Sequence, residues 1–206
     1  MEIILKYFPN LDADKQDKIA RLECLIREWN QKINLISRKD VDGLFEKHIL
    51  HSLSIARIIR FCPGSRVLDV GTGGGFPGIP LAIFFPDSEF FLIDAIGKKI
   101  GVVQDVIKEL KLDNVKASHS RVEDVRDKYD FVVSRAVTRL PEFVKWTEKN
   151  IAKVQRNSLP NGILYLKGGD LENELQPFRN RNCVYDLNAF FSEPWFETKK
   201  LVFIMV

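Results

Sequence analysis

Asp69-Val70-Gly71-Thr72-Gly73-Gly74-Gly75-Phe76-Pro77-Gly78 is the stretch that decides the fold. Arg66-Val67-Leu68-Asp69-Val70 runs into it as a short buried strand, and Pro77 opens a short helix over Gly78 to Phe85. A loop that leaves a strand and enters a helix N-terminus presents free amides, and its glycines let a ligand approach the backbone. In open α/β sheets such loops lie at the carboxyl edge, where ligands bind. A glycine cluster alone would also suit any tight turn. Here Gly71, Gly73 and Gly75 alternate, Asp69 precedes them by two residues, and Asp94 closes the next apolar run. An acid at that second strand end can accept hydrogen bonds from a ribose.

Working outward, Phe90-Phe91-Leu92-Ile93-Asp94 is a second strand, followed by a helix from Lys98 to Leu110. Val115 to Ser118, Phe131 to Ser134 and Ile163 to Leu166 continue the series, with a helix over Glu142 to Ile151. Val184 to Phe191 and Leu201 to Val206 read as two final strands with little helix between them. Residues 12 to 60 differ, because Ile19, Leu22, Ile26, Trp29 and Ile33, then Val41, Leu44, Phe45, Ile49 and Leu53, recur at helical steps. Pro63-Gly64 punctuates the chain after them. The pattern predicts an α/β chain: a mostly parallel, doubly wound sheet with an antiparallel C-terminal edge. The expected division is an N-terminal helical extension over 1–62 and one compact unit over 63–206.

Composition narrows the function classes. The 206 residues are 45% hydrophobic and 29% charged, which argues against wholesale disorder. No apolar run approaches the roughly 18 to 20 residues of a membrane span. The first residues, Met1 to Tyr7, lack a basic flank followed by an apolar core, so no secretory signal is expected and a cytoplasmic location is. Cys24, Cys62 and Cys183 are odd in number and far apart, so buried, reduced thiols are expected rather than disulfides or a metal knuckle. The net charge of +3 permits a nucleic-acid partner without requiring one.

Two cofactors suit an acid at the end of the second strand: a nicotinamide dinucleotide and S-adenosylmethionine. Gly73, Gly75 and Gly78 satisfy G-x-G-x-x-G. The third glycine, however, falls after Pro77 inside the helix start, and counting from Gly71 breaks the dinucleotide pattern at Phe76. The D-x-G-x-G-x-G form resembles the first motif of Rossmann-like methyltransferases. The wider pattern, Asp69 to Leu81 with Gly-Phe-Pro-Gly-Ile-Pro in its second half, resembles the glucose-inhibited division protein B family. That family comprises the bacterial ribosomal RNA small-subunit methyltransferases G. Trp29-Asn30, Asn34-Leu35, Lys47-His48-Ile49-Leu50 before Ser52, and Asp94 with Lys98-Lys99 follow the same resemblance. So do Ser120-Arg121-Val122-Glu123, Ser134-Arg135-Ala136-Val137 and Leu166-Lys167-Gly168, covering roughly residues 25 to 170. His51 and Val122 depart from it, standing where an acid and an alanine are usual.

The resemblance implies S-adenosylmethionine as cofactor, a guanosine of small-subunit ribosomal RNA or of the subunit precursor as substrate, and methylation at guanine N7. By position it implies that Gly71 faces the methionine portion with Phe76 bordering the same pocket, and that Gly73 is a further cofactor contact. Asp94 would hold the ribose, with Ala95, Ile96, Val122 and Glu123 around the adenine and Arg135 a further contact. Guanine N7 already carries a lone pair, so positioning suffices and no general base is assigned. His48 and His51 lack partners for a metal site, and none is expected. A guanine N7 edge is buried in the deep groove of A-form RNA, so the target should be unpaired or flipped out. Lys47, Arg139, Lys145 and Lys149 are the candidate phosphate contacts. A monomer is expected. The alternatives are a non-catalytic, cofactor-binding RNA module and an NAD-dependent oxidoreductase.

Overall fold

The computed structural model describes residues 1–37 and 40–206. Seven strands form one sheet: β1 (Arg66–Val70), β2 (Glu89–Asp94), β3 (Val115–His119), β4 (Phe131–Arg135), β5 (Gly162–Gly168), β6 (Asn182–Asp186) and β7 (Lys199–Met205). Their spatial order is β3-β2-β1-β4-β5-β7-β6. The first five run parallel, and β7 pairs antiparallel with both β5 and β6. The chain builds outward in one direction through β1, β2 and β3, then returns to the other side of β1 with β4. That reversal opens a crevice beyond the carboxyl ends of β1 and β4, the usual ligand position in such sheets.

Alternation along the central strands explains how both faces are covered. Val67, Val133 and Leu164 point into one core, while Leu68, Val132 and Ile163 point into the other. The first core is shared with the N-terminal helices, whose Ile4, Ile19, Leu22 and Ile26 join it. The second lies under α6 (Leu140–Thr147), through Leu140, Phe143 and Val144. The remaining helices are α1 (Glu2–Tyr7), α2 (Ala13–Asn30), α3 (His51–Leu53), α4 (Gly78–Phe84), α5 (Gly97–Glu109) and α7 (Glu172–Leu175). A π-wound turn, Phe45–Leu50, leads directly into α3.

Several sequence expectations are corrected. Residues 12 to 60 are not continuously helical. The Asp12 side chain caps α2 at the Lys15 amide, but the helix stops at Asn30, whose Oδ1 accepts from the Leu35 and Ile36 amides at 2.8 and 3.0 Å. Ile33 and Val41 therefore lie outside the helices. The helix expected through Ile151 ends at Thr147 and tightens into a 3-10 turn, leaving Ile151 to bridge Tyr129. The strand expected through Phe191 ends at Asp186, and a 3-10 turn then directs Leu187 and Phe191 into the core. The cysteines are free, yet Cys24 and Cys183 are exposed and Cys62 is half-buried. Their separation in sequence excluded a framework but said nothing of which face of α2 or β6 they occupy. No helix of the described residues is long and apolar enough to cross a membrane.

Candidate functional site at the carboxyl edge

Asp69 and Asp94 hold the glycine loop in different ways. Asp69 is fully buried, and its Oδ2 accepts from Thr72 Oγ1 at 2.6 Å and from the Gly78 amide at 2.8 Å. It clamps the two ends of the loop, and burial pushes its carboxyl up to about 7. Asp94 instead reaches across from β2. Its Oδ2 accepts from the Gly73 amide and its Oδ1 from the Ile96 amide, both at 2.8 Å. Each carboxylate oxygen retains lone-pair capacity beyond these bonds.

The glycines have different reasons to be glycine. Gly71, at φ +71°, has no room for a side chain, because a Cβ would lie 2.4 Å from Val137 Cγ2. A Cβ on Gly78 would fall 2.8 Å from Leu92, so α4 packs directly on β2. Gly73, at φ +59°, faces open space with nothing within 4 Å of its missing Cβ. Beside that opening the apolar side chains of Ile96 and Val137 are 50% and 39% exposed. An open glycine loop, a carboxylate and two exposed apolar side chains suit a ligand with a ribose and a flat apolar ring.

Across the crevice, the residues after β4 are held from below. The buried Tyr165 hydroxyl accepts from the Val137 and Thr138 amides, each at 3.0 Å, and donates to the Thr138 carbonyl at 2.8 Å. Ala136 adopts φ +54°, a strained value for a residue with a Cβ, and this clamp supports it. Arg135 crosses to the π-wound turn, donating to the Lys47 carbonyl at 3.1 Å and to His48 Nδ1 at 2.7 Å. Its guanidinium lies 5.4 Å from the centre of the Phe76 ring, and the His48 ring is also 5.4 Å from it. Burial lowers Arg135 to about 10 and His48 to about 3, so at neutral pH the first is charged and the second is not. A cavity of about 370 Å³ adjoins this pair, walled by His51, Lys167, Trp195 and Lys199 as well.

The model of the family described as rRNA small subunit methyltransferase G matches residues 15–193. The chain belongs to that family. It is 54% identical to the ribosomal RNA small subunit methyltransferase G of Cytophaga hutchinsonii over 99% of both chains. Identity to the protein of the same name from Bacteroides fragilis is 52% over the full length of both. A solved S-adenosylmethionine-dependent methyltransferase from Aquifex aeolicus superposes with a TM-score of 0.58 at 15% identity, over 83% of this chain and all of that one, a likeness of fold.

Membership of the methyltransferase G family makes the chain an enzyme and displaces the oxidoreductase and non-catalytic alternatives. The structure brings Gly71, Gly73, Phe76, Asp94, Ala95, Ile96 and Arg135 to one edge. Val122 and Glu123 follow β3 at that edge, with the Ser120 amide donating to the Asp94 carbonyl at 3.2 Å. Phe76 and Val122 are buried, whereas Glu123 is exposed. Lys47 lies on the cavity rim, paired with Asp40 at 3.1 Å. Arg139 stands at the N-cap position of α6 without a side-chain capping bond. Lys145 is exposed further along that helix, and the Lys149 ammonium rests on the Glu123 carbonyl at 2.7 Å, so neither lines the cavity. Among the described residues no group of three or more His, Cys, Asp or Glu could hold a metal ion.

Residue-by-residue reading missed the roles of Val137, Tyr165, Trp195 and Lys199. The Ser134-Arg135-Ala136-Val137 and Leu166-Lys167-Gly168 motifs point to their neighbourhood, but nothing in the sequence marks Trp195 or Lys199 as neighbours of His51. That contact, with ring centres 4.9 Å apart for His51 and Trp195 and the Lys199 ammonium 4.6 Å from the indole, exists only in the fold.

Proposed function

We propose that this methyltransferase transfers a methyl group from S-adenosylmethionine to N7 of a guanosine in small-subunit ribosomal RNA, using the glycine-loop crevice for the donor. The observation that carries the donor site is the open Gly73 position tied to Asp94 and flanked by exposed Ile96 and Val137. Bound there, S-adenosylmethionine supplies a methyl group activated by its sulfonium. Asp94 accepts from the ribose hydroxyls with the lone pairs that Gly73 and Ile96 leave free. Ile96, Ala95, Val122 and Glu123 frame the adenine, while Gly71 and Phe76 border the methionine portion.

The chain's part in the reaction is positional. Guanine N7 presents its lone pair without deprotonation, so no side chain has to act as a base, and no residue is assigned that role. Holding N7 in line with the methyl group is an effect that can account for several kcal/mol of barrier, with ~7–11 as the upper range. Arg135 joins the two halves of the site, since the same guanidinium anchors the π-wound turn and covers Phe76. Lys47 and Arg139, and more distantly Lys145 and Lys149, are the proposed phosphate contacts. A target guanine splayed from its helix meets the crevice directly.

The test is to map N7-methylguanosine in small-subunit RNA from cells with and without this chain, and to repeat the transfer with labelled donor and purified protein. One guanosine is expected to gain the methyl group in both settings. Identical maps, or label on another atom, would overturn the reading.

A further inference from the structure

His48 has its two ring nitrogens committed in opposite senses. Arg135 has no acceptor, so His48 Nδ1, 2.7 Å from its guanidinium, accepts. A neutral imidazole then carries its single proton on Nε2. Among the described residues Nε2 has no hydrogen-bond partner, and it is not among the sealed polar atoms of the core. The ring stands in the wall of the 370 Å³ cavity, a size suited to a small organic ligand such as a base. It also packs against Phe76, at the end of the glycine loop, with ring centres 5.4 Å apart. His48 thus lines this cavity and touches the end of the glycine loop through Phe76, with its proton on the nitrogen that Arg135 leaves free.

We propose that His48 reads the target base, its Nε2–H donating to O6 of a guanine seated in this cavity. The inference rests on the guanine-N7 activity proposed above. Along the edge that carries N7, guanine offers the acceptors N7 and O6, whereas adenine offers N7 and an amino donor. N7 must stay bare because its lone pair takes the methyl group. O6 is then the one atom of that edge left to identify the base. A fixed donor opposite position 6 accommodates guanine and meets the adenine amino group donor to donor.

Charge explains why a histidine suits this place better than the cations around it. Methyl transfer to N7 leaves the purine positively charged, and a neutral donor at O6 avoids the repulsion that an ammonium would add. Burial, reinforced by the Arg135 charge, keeps His48 in its neutral form. Lys167 is held by Glu174 at 2.7 Å and Lys47 by Asp40, so both have carboxylate partners. Lys199 stacks over Trp195, and both line the cavity. These cations are placed to meet the phosphates that flank a splayed base.

Two variants separate the nitrogens. His48→Asn keeps an acceptor near the Nδ1 position for Arg135 and has no donor at Nε2. His48→Gln keeps a donor near Nε2 and gives up the acceptor. Small-subunit RNA is ligated to carry guanosine, inosine or 2-aminopurine riboside at the mapped position, reassembled into particles, and methylated. Inosine retains O6 and N7; 2-aminopurine retains N7 and the amino group but lacks O6. The unsubstituted protein is expected to use inosine within about threefold of guanosine and 2-aminopurine about tenfold less well in kcat/KM. His48→Asn should bring inosine and 2-aminopurine within about twofold of each other, while His48→Gln keeps most of the preference. Calorimetry with S-adenosylhomocysteine, the demethylated donor, reports whether the Arg135 side has moved. Equal use of inosine and 2-aminopurine by the unsubstituted protein, or a full preference in His48→Asn, would overturn the inference. A guanosine control that gains no N7 methyl group refutes the underlying activity instead, before any analogue is compared.

Discussion

Asp69→Asn should change how stability depends on pH. The substitution keeps the size of the side chain and an oxygen to accept from Thr72 Oγ1 and the Gly78 amide, and removes the ionisation. In the folded protein, burial raises the Asp69 carboxyl from 3.8 to about 7. A raised acid binds its proton more tightly when folded, so its contribution is most favourable at low pH. The penalty grows as pH rises from about 4 to about 7 and is then complete. Between pH 5 and pH 7 this single group should cost the folded state roughly 2 kcal/mol. His48 pulls the other way. Its folded pKa is depressed to about 3, so its contribution is fully present above about 6.5 and is lost as pH falls. The two slopes offset in the unsubstituted protein, which is why the difference between proteins is the informative quantity. Urea unfolding at pH 5, 6, 7 and 8 should show Asp69→Asn gaining roughly 2 kcal/mol on the unsubstituted protein between pH 5 and pH 7, whatever the constant offset between them. Parallel curves would refute the argument, because they would mean that Asp69 titrates in the folded chain as it does in the unfolded one.

Asp94→Asn leaves an amide group facing the Gly73 or the Ile96 N–H, where both need an acceptor, so S-adenosylhomocysteine affinity should fall roughly 10- to 150-fold by calorimetry; affinity within twofold would make Asp94 a loop tie only. Gly71→Ala puts a methyl 2.4 Å from Val137 at positive φ, and should weaken the same binding with a thermal-melt loss of about 1–3 kcal/mol. Tyr165→Phe removes three hydrogen bonds from the Val137-Thr138 backbone and should lower kcat more than it raises KM for RNA, whereas an equal fall in stability with unchanged kinetics would reduce Tyr165 to a core residue. Lys145→Ala with Lys149→Ala should leave cofactor binding intact and lower the salt slope of RNA binding by about one unit per lost phosphate contact, and an unchanged slope returns α6 and the turn after it to ordinary surface.

What the sequence determined by itself was local. Alternating apolar strands and helices implied the sheet, and the glycine loop with Asp69 and Asp94 marked the candidate site at its edge, because each pattern is written in neighbouring residues and in the backbone freedom they permit. Helix ends were less legible. Asn30 stops α2 by binding amides five and six residues ahead, a bond that depends on how the following chain turns. The position of β7 between β5 and β6 was equally hidden, since apolar period shows that a strand is buried but not which strand lies beside it. Only the tertiary structure divided the labour between the two acids, turning Asp69 inward beneath α4 and Asp94 toward the open loop. It also joined Arg135 to His48, 87 residues away, and Tyr165 to Val137, 28 residues away. Those contacts follow from strand order and register, which bring distant segments to one edge and then bury them. Burial is what turns a histidine and an arginine of ordinary composition into a neutral donor and its anchor.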